Sequence, residues 1–257
     1  MLSWAVRSYA GRKGQNHDAC LVKRAAEEIC FIGVADGLGN GSSGQVASSL
    51  VLQSGYTYLE KQLKAGLAGF GPENISYFFN KLFFAAHLAI AEETETRPDL
   101  VGMASSMCAG ILSGDSLFVG NLGNSHCFLY ADKKLTCITQ NIEASGITTL
   151  SSLWQDSPRR LVNGRMLPPE IFPSNGQPAT LRPGDILLFC TDGLFNNLQH
   201  ATFKGIEKLL RKARGSPDEA ADKLIEYAYD HGSEDNISMI IAVYKPARSK
   251  NMFALFW

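Results

Sequence analysis

Residues 28–41 read Glu28-Ile-Cys-Phe-Ile-Gly-Val-Ala-Asp-Gly-Leu-Gly-Asn-Gly41. The run 28–35 is short, apolar and rich in strand-forming residues, so it predicts a strand buried on both faces. Behind it, residues 36–44 form a Gly/Ser-rich loop that opens on Asp36, and a helix is expected from about 45 to 64. A doubly buried strand followed by a helix places the chain among layered folds in which sheets and helices cover one another.

Working outward, two strands are expected before this stretch, over 3–9 and 18–23. Beyond it, Pro72 stands where the first turn of a helix tolerates proline. Ile75, Phe78, Phe79, Leu82, Phe83, Ala86 and Ile90 then recur at helical spacing, which predicts an amphipathic helix to about Thr94 whose aromatic stripe is core. From 102 to 139 the pattern turns to strands, over 103–112, 116–122, 125–130 and 134–138. Only Ser-Gly-Asp, Gly-Asn and Ala-Asp-Lys turns part them, and so they are expected to be antiparallel hairpins. Residues 140–183, with four prolines between 158 and 173, read as an irregular surface flap. A strand over 185–191, helices near 202–213 and 217–229 and a last strand over 236–244 complete the pattern. The expectation is one α+β domain over 1–247, including the flap, followed by a tail over 248–257.

Composition narrows the function. The 257 residues carry 24 Lys+Arg and 25 Asp+Glu, a net charge of −1, where a dedicated nucleic-acid binder has a basic excess. No segment approaches the roughly 18 uninterrupted apolar residues of a membrane span. Residues 1–7 lack the basic and apolar regions of a signal peptide. The six cysteines (Cys20, Cys30, Cys108, Cys127, Cys137, Cys190) include no C-x-x-C pair, and most lie in apolar runs. Their even number allows three disulfides, but buried thiols in a reducing, cytoplasmic setting fit the runs better.

Four aspartates stand at strand ends. Asp36 and Asp192 each follow a buried run and precede glycine, Asp235 precedes the last strand, and Asp18 opens the second. An Asp-Gly after a strand is most often a turn. Carboxylates gathered at one sheet edge can also share hard cations such as Mg²⁺ or Mn²⁺, which take oxygen ligands.

Five stretches, in order, resemble the signatures of the protein phosphatase 2C family of metal-dependent Ser/Thr phosphatases. They are Gly11-Arg-Lys-Gly-Gln-Asn-His-Asp18, Val34-Ala-Asp-Gly-Leu-Gly-Asn-Gly41, Val119-Gly-Asn-Leu-Gly-Asn-Ser-His126, Arg182-Pro-Gly-Asp-Ile-Leu-Leu-Phe-Cys-Thr-Asp-Gly-Leu194 and Glu234-Asp-Asn-Ile-Ser238. The resemblance spans 11–238. It implies an α-β-β-α sandwich, two packed antiparallel sheets flanked by helices, with a metal site at one end. It implies two Mn²⁺ or Mg²⁺ ions: Asp36 bridging both, Gly37 offering its carbonyl to one, Asp192 and Asp235 ligating the other. Asp18, His17 and Asn236 would support the ligands from outside, and Lys13, at the family's arginine position, would contact phosphate as a point charge. The implied reaction is hydrolysis of phosphoserine and phosphothreonine by a metal-activated water.

This chain departs from the pattern at several places. His17 replaces a glutamate, and Leu38 stands where some members carry a histidine that bacterial-type members lack, which points to the bacterial type. Asn124 replaces an aspartate associated with a third metal, and a neutral amide cannot supply that carboxylate's charge. These departures motivate an alternative, a weak or inactive relative serving as a binding module. A second alternative, from Asp36-Gly-Leu-Gly-Asn-Gly41, is a stress- or sporulation-type phosphatase acting on partners of anti-sigma factors. Expected partners are phosphoproteins made by a Ser/Thr kinase, with no nucleic acid and no membrane span, and the expected state is a monomer. The apolar segment Met252-Phe-Ala-Leu-Phe-Trp257 behind the basic Lys245-Pro-Ala-Arg-Ser-Lys250 reads as a groove-filling or docking tail.

Overall fold

The computed structural model describes residues 2–67, 69–139, 162–163, 168–173, 176–195, 203–213 and 215–245. Most of the expected flap and the tail lie outside these residues.

The last strand shows how the layers form. In β12 (Ile237–Tyr244), Ile237, Met239, Ile241 and Val243 join one buried cluster while Ile240 and Ala242 join another. Side chains alternate across a strand, so a strand with apolar residues on both faces needs cover on both. β12 lies between β1 (Leu2–Tyr9) and β11 (Ile186–Cys190), and β11 pairs in turn with β7 (His126–Ala131), which pairs with β8 (Lys134–Cys137). These five strands make the first sheet, antiparallel throughout.

The second sheet centres on β3 (Ile29–Leu38), flanked by β2 (Asp18–Arg24) and β5 (Met107–Ser113), with β6 (Ser116–Leu122) beyond β5. A two-residue β4 (Ala104–Ser105) pairs with the end of β3. Along the outer edge of β6 run β9 (Glu170–Phe172) and β10 (Ala179–Thr180). Within the stretch expected to be irregular, these residues are thus drawn into strands by the open hydrogen-bonding edge of β6.

The two sheets pack face to face through Ile32, Val34, Val119, Leu187, Phe189 and Ile240. Helices α1 (Ser43–Lys64) and α2 (Ile75–Thr96) cover the second sheet, and all seven residues of the α2 stripe are buried against it and α1. Burying one such side chain is worth about 1.5–3 kcal/mol. Helices α3 (Phe203–Ala213) and α4 (Pro217–Asp230) cover the first sheet with Ile206, Leu210, Leu224 and Ala228. The layer order is α-β-β-α, as the motifs implied. The six cysteines carry no disulfide, and five of them are buried.

Two local expectations are corrected. β5–β6 and β7–β8 are hairpins, but β6 and β7 belong to different sheets. Gly123-Asn124-Ser125 steps from one sheet to the other, with Gly123 at φ 114°. Three residues suffice because packed sheets lie only about 10 Å apart. The expected loop after residue 35 likewise begins later. β3 continues to Leu38 because its end still has ladder partners: Gly37 N–H donates to the His17 carbonyl at 3.1 Å, and Ser106 N–H to the Asp36 carbonyl at 2.8 Å.

Candidate metal and active site

The acidic residues converge at one end of the sandwich because of register. Asp18, at the start of β2, stands opposite Asp36, near the end of β3. Across the sandwich, Thr191 at the end of β11 donates its hydroxyl to Asp18 Oδ2 at 2.8 Å. Asp192, the next residue, opens a single 3-10 turn, Asp192–Leu194. Gly193 in that turn packs so closely on the start of β12 that an added Cβ would lie 1.8 Å from the Asn236 carbonyl oxygen and 3.2 Å from Asp235 Cβ. The missing side chain is therefore what lets the backbone of Asp192 approach that of Asp235.

Each acid has its own support. Asp36 is held by its backbone: its N–H donates to Ser106 Oγ at 3.0 Å, and Ser105 Oγ donates to its carbonyl at 3.0 Å. Asp192 Oδ2 accepts from Asn124 Nδ2 at 2.7 Å, which the sheet-to-sheet step at Gly123 makes possible. Asp235 Oδ1 accepts its neighbour's N–H, from Asn236, at 2.7 Å and is ion-paired with Lys13 Nζ.

Beyond that backbone bond, the Asn236 side chain is engaged with the 10–17 loop. Its Nδ2 donates to the carbonyls of Ala10 at 2.6 Å and Gln15 at 2.8 Å, and its Oδ1 accepts from His17 N–H at 2.9 Å. It clamps the loop that carries Lys13. His17 serves mainly through its backbone, bonded to Asn236 and Gly37, and its ring lies against Gly44 at the start of α1.

Electrostatically the cluster is an anion short of cations. Burial pushes the Asp36 carboxyl well above the carboxylate range, and the charges of Asp18 and Asp235 push it further. Asp18 is raised by burial too, against the hydrogen bond from Thr191. Asp192 is pushed up to about 7 by burial, then by Asp36 and Asp235. Burial works against the charge of Lys13, but its pairing with Asp235 and the fields of Asp36 and Asp192 hold its pKa above the ordinary value. Hard oxygen ligands that repel one another and cannot all ionise unaided suit divalent cations. Among the described residues no three acidic, histidine or cysteine side chains converge closely enough to hold an ion as they stand. Asp235 instead faces Lys13 and Asp192 faces Asn124.

Sequence reasoning named the aspartates but missed Thr191, Ser105 and Ser106. Ser105-Ser106 was visible as a polar pair inside the apolar run 103–112, and Thr191 as the polar residue closing another.

The fold is similar to those of solved bacterial serine/threonine phosphatases. Against Mycobacterium tuberculosis PstP/Ppp the TM-score is 0.73 at 25% identity, over 95% of this chain and 99% of that one. The PstP catalytic domain determined with two manganese ions gives 0.71 at 26%, over 94% and 97%. Stp1 of Staphylococcus aureus gives 0.76 at 17%, over 95% and 96%, a likeness of fold alone. Residues 7–226 match the protein phosphatase 2C family, and the chain belongs to it. By sequence it is 27% identical to the M. tuberculosis Ser/Thr phosphatase PstP over 248 residues, 94% of this chain but 45% of that protein. The chain thus spans less than half of that relative. It is 26% identical to the Listeria monocytogenes Ser/Thr phosphatase stp over 216 residues, 81% and 82% of the two.

Proposed function

We propose that the chain is a Mn²⁺- or Mg²⁺-dependent phosphatase of phosphoserine and phosphothreonine in proteins, the products of a Ser/Thr kinase. The observation that carries this reading is the gathering of Asp36, Asp192 and Asp235 at one end of the sandwich, near enough for their charges to act on one another, in a chain of the protein phosphatase 2C family. The relatives' own description as Ser/Thr phosphatases, one solved with two manganese ions, supports the choice of substrate and cofactor.

In this reading Asp36, the Gly37 carbonyl, Asp192 and Asp235 would hold the two cations. When bound, two such ions supply a water of lowered pKa and neutralise phosphoryl oxygens. Asp18, which accepts from the Thr191 hydroxyl, would support the ligands from outside. Lys13, more than half exposed at the rim, offers its ammonium to a phosphate oxygen. Asn124 is already committed to Asp192, so the position gives a neutral donor in place of a third cation's ligand.

The test is hydrolysis of p-nitrophenyl phosphate and a phosphothreonine peptide with Mn²⁺, with EDTA and with Asp192→Asn. Turnover that needs the metal and is lost in the variant is expected. A folded protein inert in every divalent metal would make it a binding module instead.

A further inference from the structure

The ion pair between Lys13 and Asp235 uses the same carboxylate that the proposed site needs for a cation. Its two halves are anchored differently. The loop backbone is fixed to the start of β12: a Cβ on Gly11, which sits at φ 63°, would lie 2.1 Å from the Asp235 carbonyl oxygen. Arg12 N–H donates to the Glu234 carbonyl at 3.3 Å, and Asn236 ties Ala10 and Gln15 from the other side. The Lys13 side chain is not so confined. It is 57% exposed and reaches Asp235 from solvent along four flexible methylenes.

Resting on the two-metal reading above, we propose that Lys13 is an internal counter-cation that Asp235 must give up for a divalent cation to take its carboxylate. The ammonium and a divalent cation compete for one carboxylate. Metal affinity on the Asp192–Asp235 side is thereby lowered. Arg12, the neighbouring cation, does not compete in this way, because its guanidinium pairs with Glu234 at 3.0 Å and is 77% exposed.

Titration calorimetry with Mn²⁺ as the probe tests this on the full chain, with Lys13→Met, Arg12→Met and Lys13→Arg. Lys13→Met is expected to bind Mn²⁺ about three- to fivefold more tightly at the weaker step, the upper end of the scale of a partly exposed ion pair. Arg12→Met removes the same charge one residue away and is expected to stay within about twofold. Lys13→Arg keeps the pair and is expected to gain nothing. Unchanged affinity in Lys13→Met, or equal gains in Lys13→Met and Arg12→Met, would overturn the proposal. Failure of the two-metal reading looks different: wild type and Asp192→Asn would then bind Mn²⁺ equally weakly.

Discussion

Asn124 donates a 2.7 Å hydrogen bond to Oδ2 of Asp192, across the step that carries the chain from one sheet to the other. The bond fixes which way that carboxylate faces, and it lowers the proton affinity that burial and the neighbouring acids raise. Outer partners of metal ligands typically matter by 10–100-fold in affinity. Asn124→Ala is therefore expected to weaken Mn²⁺ binding by about 10–100-fold. Calorimetry checks the affinity, and a thermal melt without metal separates it from loss of fold.

Gly193 sets the distance between Asp192 and Asp235. In Gly193→Ala the new methyl meets the Asn236 carbonyl and pushes the two backbones apart. The variant is expected to fold with a lowered Tm and to lose most metal-dependent turnover. An activity assay with Mn²⁺ titrated to saturation distinguishes this from weakened binding alone.

The acids make stability depend on pH with a definite sign. In the metal-free protein Asp18, Asp36 and Asp192 hold protons that the unfolded chain releases near the ordinary carboxylate value of about 4. The folded state thus binds more protons, and stability falls as pH rises from about 4 through about 8. His126 acts oppositely: full burial lowers its pKa to about 3, so its share of stability is lost as pH falls below about 6.5. The decline is expected to be clearest above about 6.5, where His126 no longer contributes a slope. Mn²⁺ should raise Tm most in that range. Asp192→Asn should stabilise the metal-free protein there by about 1–3 kcal/mol. Chemical denaturation across pH, with and without metal, reads both effects.

Phe79 and Phe84 share α2 but not its environment. Phe79 is fully buried in the stripe, while Phe84 is 44% exposed beside Lys81. Phe79→Ala is expected to cost about 3–5 kcal/mol and Phe84→Ala less than about 1 kcal/mol, measured by urea unfolding.

How much of this was legible in the sequence depended on how far each signal reaches. The strand at 29–38, the aromatic helix and the aspartates are local patterns, and they survived folding with ends shifted by a few residues. The step at Gly123–Ser125 did not read correctly, because a Gly-Asn turn between two strands looks alike whether the strands pair or part to opposite sheets. β9 and β10 were hidden because short edge strands owe their form to a neighbour, here β6, rather than to their own residues. Within the site, the residue types were visible but their partners were not: Asn236 is a clamp on the Lys13 loop, and Lys13 faces Asp235. Such pairings join residues more than two hundred positions apart and follow from register alone.

That register has a consequence for the birth of the protein. β12, which delivers Asp235, is inserted between β1 and β11, and Gly11 is sealed against its first residues only then. A nascent chain that has left the ribosome as far as Cys190 holds Asp18 and Asp36 but neither Asp192 nor Asp235, and its first strand still lacks a neighbour. No length that stops short of Asp235 owns the acidic centre, so the centre is completed late, when β12 takes its place between β1 and β11.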